Sequence, residues 1–283
     1  MPSLAEIISS LPSLKVTVEA HQLMADKKLG QNFLLDQNIT DKIIRNSLST
    51  QKADSFCGSE VFEIGPGPGG LTRAILKANP DKLIVIEMDS RCISIMEDIQ
   101  SKTGNILEIK NTDALKYLYP QTPDKPTHII SNLPYNISVP LLIKWLSSIK
   151  SYQSLTLMFQ KEVAERIMAP TRCKDYGRIS ILSQLQCKIT KLFDLSPECF
   201  VPAPKIWSTV LLFEPTSNPL DTYQINKLEK LTNQAFSARR KMIRQSLKSY
   251  SNLETACHKL DIPLTARPEE LTPQQFFELS QIL

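Results

Sequence analysis

An amide, a rigid turn and an aromatic ring follow directly on an apolar run at residues 132–135. A purine amino group is a poor nucleophile because its lone pair is delocalised into the ring, so chemistry on it needs acceptors for its N–H groups. The Asn132 side-chain oxygen and the Leu133 carbonyl can accept those bonds, and Pro134 fixes the turn. The Tyr135 ring can stack on a base that has left its own stack. The segment predicts a site for a nucleobase amine; the alternative is a strand-ending turn with a core tyrosine.

A glycine-rich turn lies earlier in the chain, in the sequence EIGPGPGGLT at residues 63–72. Gly65, Gly67 and Gly70 satisfy the pattern GxGxxG, and Glu87 follows Gly65 by 22 residues. Glycines permit a tight turn and the close approach of a ligand, while an acid ending the next strand can bind ribose hydroxyls. This pattern alone fits a nicotinamide dinucleotide, a flavin, the adenosyl group of S-adenosylmethionine, or a turn without a ligand.

Two further carboxylates favour S-adenosylmethionine among these ligands. Glu63 stands two residues before the first glycine, where it can organise the turn and face a cationic ligand. Asp113, in the sequence NTDAL, is placed to accept a hydrogen bond from an adenine amino group. The alternative for Asp113 is the N-cap of a helix over residues 114–119.

Short apolar runs alternate with helical patterns of about ten residues from Val61 onward, which is typical of a parallel sheet covered on both faces. The fold class predicted is α/β, with a doubly wound, mostly parallel sheet of seven strands. The seven strand-like runs are residues 61–65, 82–89, 105–110, 127–134, 154–160, 188–195 and 207–215.

The pattern changes after Pro215, where residues 216–221 have the composition of a linker. Apolar residues then recur at helical spacing, as at Leu228, Leu231 and Ala235, and no strand-like run follows. We therefore predict an N-terminal extension at residues 1–24, an α/β domain at 25–216 and a small all-α domain at 217–283.

Composition narrows the class of protein only slightly. A net charge of +4 is too small to identify a nucleic-acid partner, and the six cysteines show no CxxC pair or zinc spacing. No apolar run approaches the roughly 18 residues that a membrane span needs, and the amino-terminal residues lack a signal peptide's apolar stretch. We expect a cytoplasmic protein with no structural metal and no membrane partner.

These segments, in this order, resemble the ribosomal RNA adenine dimethyltransferases, and among them the bacterial enzymes that act on the small subunit. The likeness covers nearly the whole chain from about residue 25, and each segment is weak alone. Outside the match lie residues 1–24 and the sequence KADSFCGSE. The matching segments are LGQNFLLD (29–36), EIGPGPGGLT (63–72), IEMD (86–89), NTDAL (111–115), NLPYNIS (132–138), YGRISILSQ (176–184), CFVPAPKIWSTV (199–210) and AFSARRKMIRQSL (235–247).

The resemblance implies a Rossmann-like methyltransferase fold, S-adenosylmethionine as the cofactor, and roles for individual residues. Glu87 would bind the ribose, Asp113 the adenine and Gly65 the methionine part, while Asn132 would bridge cofactor and target amine. Phe200 would stack on the flipped adenine opposite Tyr135, although its sequence context alone favours a core aromatic. Trp207 departs from the family, which usually carries a small or aliphatic residue there. The cofactor-binding residues implied are Asn32, Leu34, Gly65, Gly67, Glu87, Met88, Asp113 and Asn132, and the catalytic ones Asn132, Leu133, Pro134, Tyr135 and Phe200.

The reaction implied is in-line methyl transfer to adenine N6, twice on each of two adjacent adenosines near the 3′ end of small-subunit (16S) rRNA. It needs no metal and no covalent intermediate, and rate would come from orientation and electrostatics. The implied partner is the immature small ribosomal subunit, bound by a monomer during subunit biogenesis.

Basic residues cluster in two places that could contact RNA phosphates. Residues 238–248 contain five basic residues and no acid; on a continuous helix Arg240, Arg244 and Lys248 would share one face, with Met242 and Leu247 pointing inward. The RNA-binding residues predicted are Arg239, Arg240, Lys241, Arg244 and Lys248, with Arg172, Lys174 and Arg178 from a second group.

Three other functions stay open from the sequence. A methyltransferase acting on large-subunit rRNA shares the glycine turn and the Asn-x-Pro-Tyr element, and a non-catalytic RNA-binding assembly factor could retain the fold. A dinucleotide oxidoreductase is the third, although nothing after the glycine turn supports it.

Overall fold

Apolar strands form the centre of the computed structural model, which describes residues 3–26, 30–121 and 123–283. Leu29, the first residue of the predicted segment 29–36, lies outside the described residues. The strands are β1 (Phe33–Leu34), β2 (Glu60–Ile64), β3 (Lys82–Glu87), β4 (Leu107–Asn111), β5 (Thr127–Asn132), β6 (Ser154–Gln160), β7 (Cys187–Leu195), β8 (Phe200–Val201) and β9 (Ser208–Pro215).

Seven of these strands form one sheet in the order β4-β3-β2-β5-β6-β9-β7, and the other two, β1 and β8, pair separately. The five strands from β4 to β6 run parallel, and β9 runs antiparallel to β6. The strands β2, β3, β5 and β6 are buried along nearly their whole length because helices cover both faces of such a sheet, whereas the edge strand β4 is buried only at Leu107. The predicted α/β fold with seven mostly parallel strands is confirmed.

The order in which successive strands join the sheet reverses at its centre. From β2 it continues outward to β3 and β4, and then returns to β5 on the other side of β2. Ligands in open α/β sheets bind beyond the carboxyl ends of the strands at such a reversal. The ends of β2 and β5 are therefore the expected position of a site.

Twelve helices accompany the strands in the described part of the chain. None of them is long and apolar enough to cross a bilayer. The helices are α1 (Leu4–Ser9), α2 (Leu14–Ala20), α3 (Gln37–Thr50), α4 (Gly70–Lys77), α5 (Ser90–Thr103), α6 (Tyr135–Leu146), α7 (Lys161–Met168), α8 (Arg178–Gln186), α9 (Thr222–Ser237), α10 (Ile243–Ser246), α11 (Leu253–Lys259) and α12 (Pro273–Ile282).

Two compact units make up the chain, and they interleave along the sequence. The first unit comprises Met1–Leu142, Ser151–Lys161 and Thr190–Glu214, and the second comprises Ile143–Lys150, Glu162–Ile189 and Pro215–Leu283. The predicted domain boundaries at residues 24 and 216 stay a prediction. They divide the chain into consecutive segments, whereas each compact unit is made of three separate segments.

Two helices of the second unit, α9 and α12, begin at recognisable caps. The Asp221 side chain accepts a hydrogen bond from the Gln224 N–H, and the Gln224 side-chain oxygen accepts one from the Asp221 N–H, so α9 starts in a capping box. Thr272 and Gln275 repeat the arrangement at α12. The predicted apolar stripe on α9 is buried at Leu228, Leu231 and Ala235. The helical character of residues 222–283 is confirmed.

One local prediction was wrong, and one alternative interpretation does not hold. Residues 238–248 are not one helix: 238–242 form a turn, and only Ile243–Ser246 is helical. The N–H of Ile243 instead donates to the Ala266 carbonyl at 2.8 Å, so tertiary contacts replace helical bonds. Residues 114–116 form a turn and residues 117–119 are irregular, so the helix of the alternative interpretation of Asp113 is absent.

Candidate active site

A cavity of about 340 Å³ opens at the carboxyl ends of β2, β3 and β5 in the first unit. All eight predicted cofactor residues line it, together with Leu133, Pro134 and Tyr135 from the segment after β5. Most of the remaining lining comes from their immediate sequence neighbours. The lining segments are residues 30–34, 63–68, 70–71, 86–88, 112–115 and 132–137.

Three carboxylic acids line this cavity, namely Glu63, Glu87 and Asp113, and no Lys, Arg or His does so among the described residues. A dinucleotide brings a pyrophosphate that needs positive charge or hydrogen-bond donors, whereas S-adenosylmethionine brings a sulfonium and an ammonium group. Because unlike charges attract, the acid-lined cavity fits the cationic cofactor. The described residues include no cluster of His, Cys, Asp and Glu arranged to hold a metal ion.

Glu87 ends β3 and is only 7% exposed. Its Oε1 accepts hydrogen bonds from the backbone N–H groups of Met88 and Asp89 at 2.8 and 2.9 Å, which hold the carboxyl group at the cavity wall. Burial raises the pKa of Glu87, and hydrogen bonds from the N–H groups of Asp89, Met88 and Gly67 oppose that rise. A fixed acceptor at this strand end suits a ribose hydroxyl.

Glu63 lies deeper, at 1% exposure, and its Oε2 accepts a hydrogen bond from the Thr72 hydroxyl at 2.7 Å. Burial raises the pKa of Glu63 to about 8; the Thr72 hydrogen bond opposes this rise and the negative charge of Glu87 adds to it. Neutral Glu63 is thus favoured at the pH where an ordinary glutamate is ionised. A cation beside it would favour the ionised form, so Glu63 is suited to respond to a cationic ligand.

The glycine turn needs small residues because the segment 33–34 packs directly on it. A Cβ on Gly70 would lie 2.8 Å from the Leu34 carbonyl oxygen, and one on Gly67 would lie 3.1 Å from the Phe33 ring. Gly67 also has a φ of +53°, which other residues rarely adopt. The contact with residues 33–34 closes one side of the cavity.

Asn132 is oriented by a contact 100 positions earlier in the chain. Its Nδ2 donates to the Asn32 backbone carbonyl at 3.2 Å. A carbonyl can only accept, so the atom facing it must be the amide nitrogen, and the side-chain oxygen Oδ1 is left as an acceptor elsewhere. Both asparagines line the cavity. The amide is therefore held with an acceptor available for an N–H group.

The Leu133 carbonyl is the second predicted acceptor. In the first turn of α6 the N–H of Ile137 donates to the Pro134 carbonyl at 3.2 Å instead of to that of Leu133. The helix begins at Tyr135 and so brings the Tyr135 ring to the cavity. The Tyr135 hydroxyl is 2.7 Å from the Ser208 hydroxyl, and burial raises its pKa.

Asp113 has a structural role beside its place in the cavity wall. Its Oδ1 accepts a hydrogen bond from the Leu115 N–H at 2.9 Å, which caps the turn at residues 114–116. Met88, 58% exposed, and Leu115, 37% exposed, supply apolar surface nearby. A flat adenine ring with one polar edge fits this combination of carboxylate and apolar side chains.

Phe200 is the one predicted catalytic residue that is not brought to the cavity. It pairs with Leu34 in the small sheet of β1 and β8, is 2% exposed, and belongs to the core of the first unit. Its stacking on a flipped base stays a prediction, and it would require the β8 segment to move.

Sequence reasoning missed a set of contacts around Asp89, which follows the cavity residues Glu87 and Met88. The Gln31 side chain donates to Asp89 at 2.8 Å, and Arg91 pairs with Asp89 at 2.6 Å and donates to the Met24 carbonyl at 3.0 Å. The Arg91 hydrogen bond lowers the pKa of Asp89 to about 2. Gln31 lies 58 positions from Asp89 and Met24 lies 67 positions from Arg91, so neither contact had a local signal in the sequence.

The predicted RNA-binding residues all lie in the second unit. Arg239 is not free for RNA: its Nε donates to Glu269 at 2.7 Å and its Nη2 to the Cys173 carbonyl at 3.0 Å. The Glu269 carbonyl in turn accepts from the Arg172 N–H at 2.7 Å, which joins the two basic groups around one residue. The other predicted residues are exposed and form no ion pair within the described ranges: Arg172, Lys174, Arg178, Arg240, Lys241, Arg244 and Lys248.

The sheet order, the acid-lined cavity at the strand reversal and the amide after β5 define an S-adenosylmethionine-dependent methyltransferase of the Rossmann-like class. Residues 23–283 match the sequence profile of the ribosomal RNA adenine dimethylases, and the chain belongs to that family. It is an S-adenosylmethionine-dependent rRNA adenine dimethyltransferase.

Individual relatives agree with this assignment. The chain is 42% identical to the ribosomal RNA small subunit methyltransferase A of Allorhizobium ampelinum, over 98% of this chain and 99% of that one. A dimethyladenosine transferase from Plasmodium falciparum shares the structure with a TM-score of 0.70 and 28% identity, over 86% and 94% of the two chains. The 23S rRNA methyltransferase ErmE, at 22% identity over 88% and 98%, shares the fold with a TM-score of 0.64.

Proposed function

We propose that this enzyme dimethylates the N6 amino groups of two adjacent adenosines near the 3′ end of small-subunit rRNA, within an immature small ribosomal subunit. It acts as a monomer in the cytoplasm. The orientation of Asn132 carries the proposal for the chemistry, because its Nδ2 is engaged by the Asn32 carbonyl and its Oδ1 is left to accept from an amine. The small-subunit target is supported by curated relatives of 41–43% identity that are named for that subunit.

Target binding at this site uses two acceptors and one ring. The Asn132 Oδ1 and the Leu133 carbonyl accept the N–H groups of the adenine amine and favour a pyramidal nitrogen with an available lone pair. The Tyr135 ring stacks on the base once it has left its helix. In the second transfer the amine has one N–H left, so one of the two acceptors is then sufficient.

The cofactor is held by the acids and backbone of the cavity. Glu87 accepts hydrogen bonds from the ribose hydroxyls, and Asp113 accepts one from the adenine amino group. The remaining surface of the cofactor contacts Asn32, Leu34, Gly65, Gly67 and Met88. Bound there, the sulfonium supplies the methyl group. The chain orients the amine for in-line attack, which removes much of the entropic cost of a bimolecular reaction. The methylated nitrogen loses its proton after transfer, so no residue needs to act as a general base.

The substrate's phosphates contact the exposed basic residues of the second unit. Arg240, Lys241, Arg244 and Lys248 supply positive charge from residues 240–248, and Arg172, Lys174 and Arg178 from the loop before α8 and its first residue. Such contacts orient a folded RNA without reading its sequence. Arg239 positions these segments through Glu269 and Cys173.

The test is transfer of labelled methyl groups to unmethylated small subunits, followed by digestion to nucleosides. Two adjacent N6-dimethyladenosines in small-subunit RNA are expected, and none on isolated large subunits assayed in parallel. Label on large-subunit RNA alone would assign the enzyme to the other subunit. Binding to the small subunit without transfer, by a protein that binds the cofactor, would identify an assembly factor instead.

A further inference from the structure

An exposed tryptophan lies next to the proposed target site. Trp207 is 50% exposed, its neighbour Ile206 is 36% exposed, and Val201, six residues earlier in the chain, is 53% exposed. We call these three residues the apolar patch. All three belong to the first unit, as do the cavity residues. Large apolar side chains gathered on a surface commonly mark a site of interaction.

Trp207 is linked to the cavity by the hydrogen bond between its chain neighbour Ser208 and Tyr135. The Tyr135 ring lines the cavity, and its hydroxyl is 2.7 Å from the hydroxyl of Ser208, which directly follows Trp207. Ser208 is fully buried, so the chain is anchored where the patch begins. A base stacked on Tyr135 would therefore have Trp207 as a near neighbour.

The backbone of Trp207 is fixed on its other side as well. Its carbonyl accepts a hydrogen bond from the Lys161 N–H at 2.9 Å, at the point where β6 passes into α7. Asn132 on β5 is in register with Met158 on β6, and Met158 is in register with Val210 on β9. Val210 follows Trp207 by three residues. At about 3.3 Å per residue and 4.8 Å per strand, the two backbones lie roughly 14 Å apart. That is about four bases stacked at 3.4 Å, or fewer in an extended strand.

Two lysines lie near the tryptophan, one of which is also 3.9 Å from an acid, since the Lys161 Nζ faces Asp194 Oδ2. The Lys161 Nζ lies 6.0 Å from the centre of the Trp207 ring, and the exposed Lys205 is two residues before it. Aromatic rings flanked by lysines are the combination with which proteins hold single-stranded RNA, since bases stack on the ring and phosphates meet the cations. A protein partner would be expected to cover the patch with apolar residues and gains little from these two lysines.

We propose that Trp207 is a stacking platform for an unpaired base of the substrate RNA, a few nucleotides from the adenosine that enters the cavity. Val201 and Ile206 widen the platform, and Lys161 and Lys205 meet the adjoining phosphates. The inference rests on the proposed function, and it identifies a substrate-positioning residue outside the cavity. Stacking recognises any base, so Trp207 contributes to affinity for an open RNA strand and not to the choice of its sequence.

Kinetics with small subunits test the proposal. Trp207→Ala raises KM for unmethylated small subunits about tenfold, with kcat and the affinity for the cofactor within about twofold of wild type. Trp207→Phe keeps a ring and restores most of the loss. The matched control is Tyr223→Ala: Tyr223 is also exposed, at 67%, with the Lys227 Nζ 5.6 Å from its ring centre, but lies in the second unit. The Tyr223→Ala variant leaves KM for small subunits unchanged.

Fluorescence provides a readout that a purely structural role would not change. The chain has two tryptophans, and Trp145 is fully buried, so solvent-sensitive emission comes from Trp207. A short single-stranded oligoadenylate quenches that emission in wild type and has no effect in Trp207→Phe. A polyphosphate of equal charge, which has no bases, does not quench it.

The failures of the two proposals are distinguishable. If wild type methylates small subunits and Trp207→Ala has an unchanged KM, the platform is wrong and the function stands. Equal quenching by oligoadenylate and polyphosphate would likewise overturn it. If wild type binds cofactor but methylates no small subunit, the proposed function fails, and the platform is then judged by quenching alone.

Discussion

The cofactor cavity of the first unit and the basic surface of the second unit were predicted from equally short motifs, with different success. Every predicted cofactor residue lines the cavity. On the basic surface the predicted helix is absent, and Arg239 is bound within the protein. The cavity residues lie at the ends of buried strands, and the register of these strands fixes where each side chain points. A run of charges on a surface has no such constraint, so its backbone follows whatever the surrounding segments require.

The largest expected effect concerns the orientation of Asn132. Asn132→Ala removes the amine acceptor and is expected to lower kcat by a hundred- to a thousandfold, by analogy with the loss of one preorganised polar group. Cofactor affinity, measured by calorimetry, changes far less. Asn105→Ala, an exposed asparagine in the same unit, is the control and keeps full activity. A kcat for Asn132→Ala within threefold of wild type would remove this residue from the chemistry.

Glu87→Ala tests the cofactor side of the cavity. Loss of an acceptor for charged or ribose donors is expected to weaken S-adenosylmethionine binding about ten- to a hundredfold. Calorimetric titration measures it, with Glu97→Gln on α5, an exposed acid, as the control. Unchanged affinity would show that Glu87 only holds the loop of Met88 and Asp89.

Buried Glu63 predicts a pH dependence of stability without cofactor. Its pKa is about 8 in the fold, above the ordinary 4.5, so between these values the folded state holds a proton that the unfolded state has lost. The contribution of Glu63 to the free energy of unfolding therefore falls as pH rises through this range, by up to about 1.4 kcal/mol per pH unit.

Glu63→Gln isolates this contribution, because the amide does not titrate. We expect denaturant titrations between pH 5 and 8 to show that the contribution of Glu63, which decreases the free energy of unfolding as pH rises in wild type, is absent from the variant. The comparison is needed because burial lowers the pKa of His128 to about 4, which makes stability rise with pH below about 6.5 and offsets Glu63 there. Glu60→Gln, on the same strand but partly exposed, is the control. Parallel curves for wild type and Glu63→Gln would contradict the assignment.

The exposed basic residues are expected to affect RNA affinity and not stability. The double variant Arg240→Ala, Lys241→Ala should weaken small-subunit binding several-fold and reduce the slope of log affinity against log salt by about 1.5. The double variant Lys230→Ala, Lys259→Ala removes two exposed charges elsewhere in the same unit and serves as the control. Identical salt slopes in the two variants would mean that residues 240–241 face solvent only.

Arg239 should show the opposite behaviour. Arg239→Ala breaks the half-exposed ion pair with Glu269 and the bond to the Cys173 carbonyl, and we expect a loss of about 1 kcal/mol of unfolding free energy. A double-mutant cycle with Glu269→Ala measures the coupling. If Arg239→Ala leaves stability unchanged and lowers RNA affinity as Arg240→Ala does, the two arginines have the same role.

Much of the fold could be read from the sequence because its strands are buried on both faces. Apolar runs such as residues 154–160 can form only central strands, and the structure has a strand at those seven positions. The glycine turn was recognisable for a related reason, since Gly67 and Gly70 sit where a Cβ would strike Phe33 or the Leu34 carbonyl. In such places local residue type and tertiary environment impose the same requirement.

The sequence by itself determined the strands, the glycine turn and the acids at the strand ends, because each depends on backbone conformation or burial within a few residues. Only the tertiary structure decided the partners of those acids and amides. It oriented Asn132 through Asn32, buried Phe200 against Leu34, engaged Arg239 with Glu269 and left Trp207 exposed beside Ser208. These contacts join residues 30 to 166 positions apart, or depend on what covers a surface, and no local propensity encodes either.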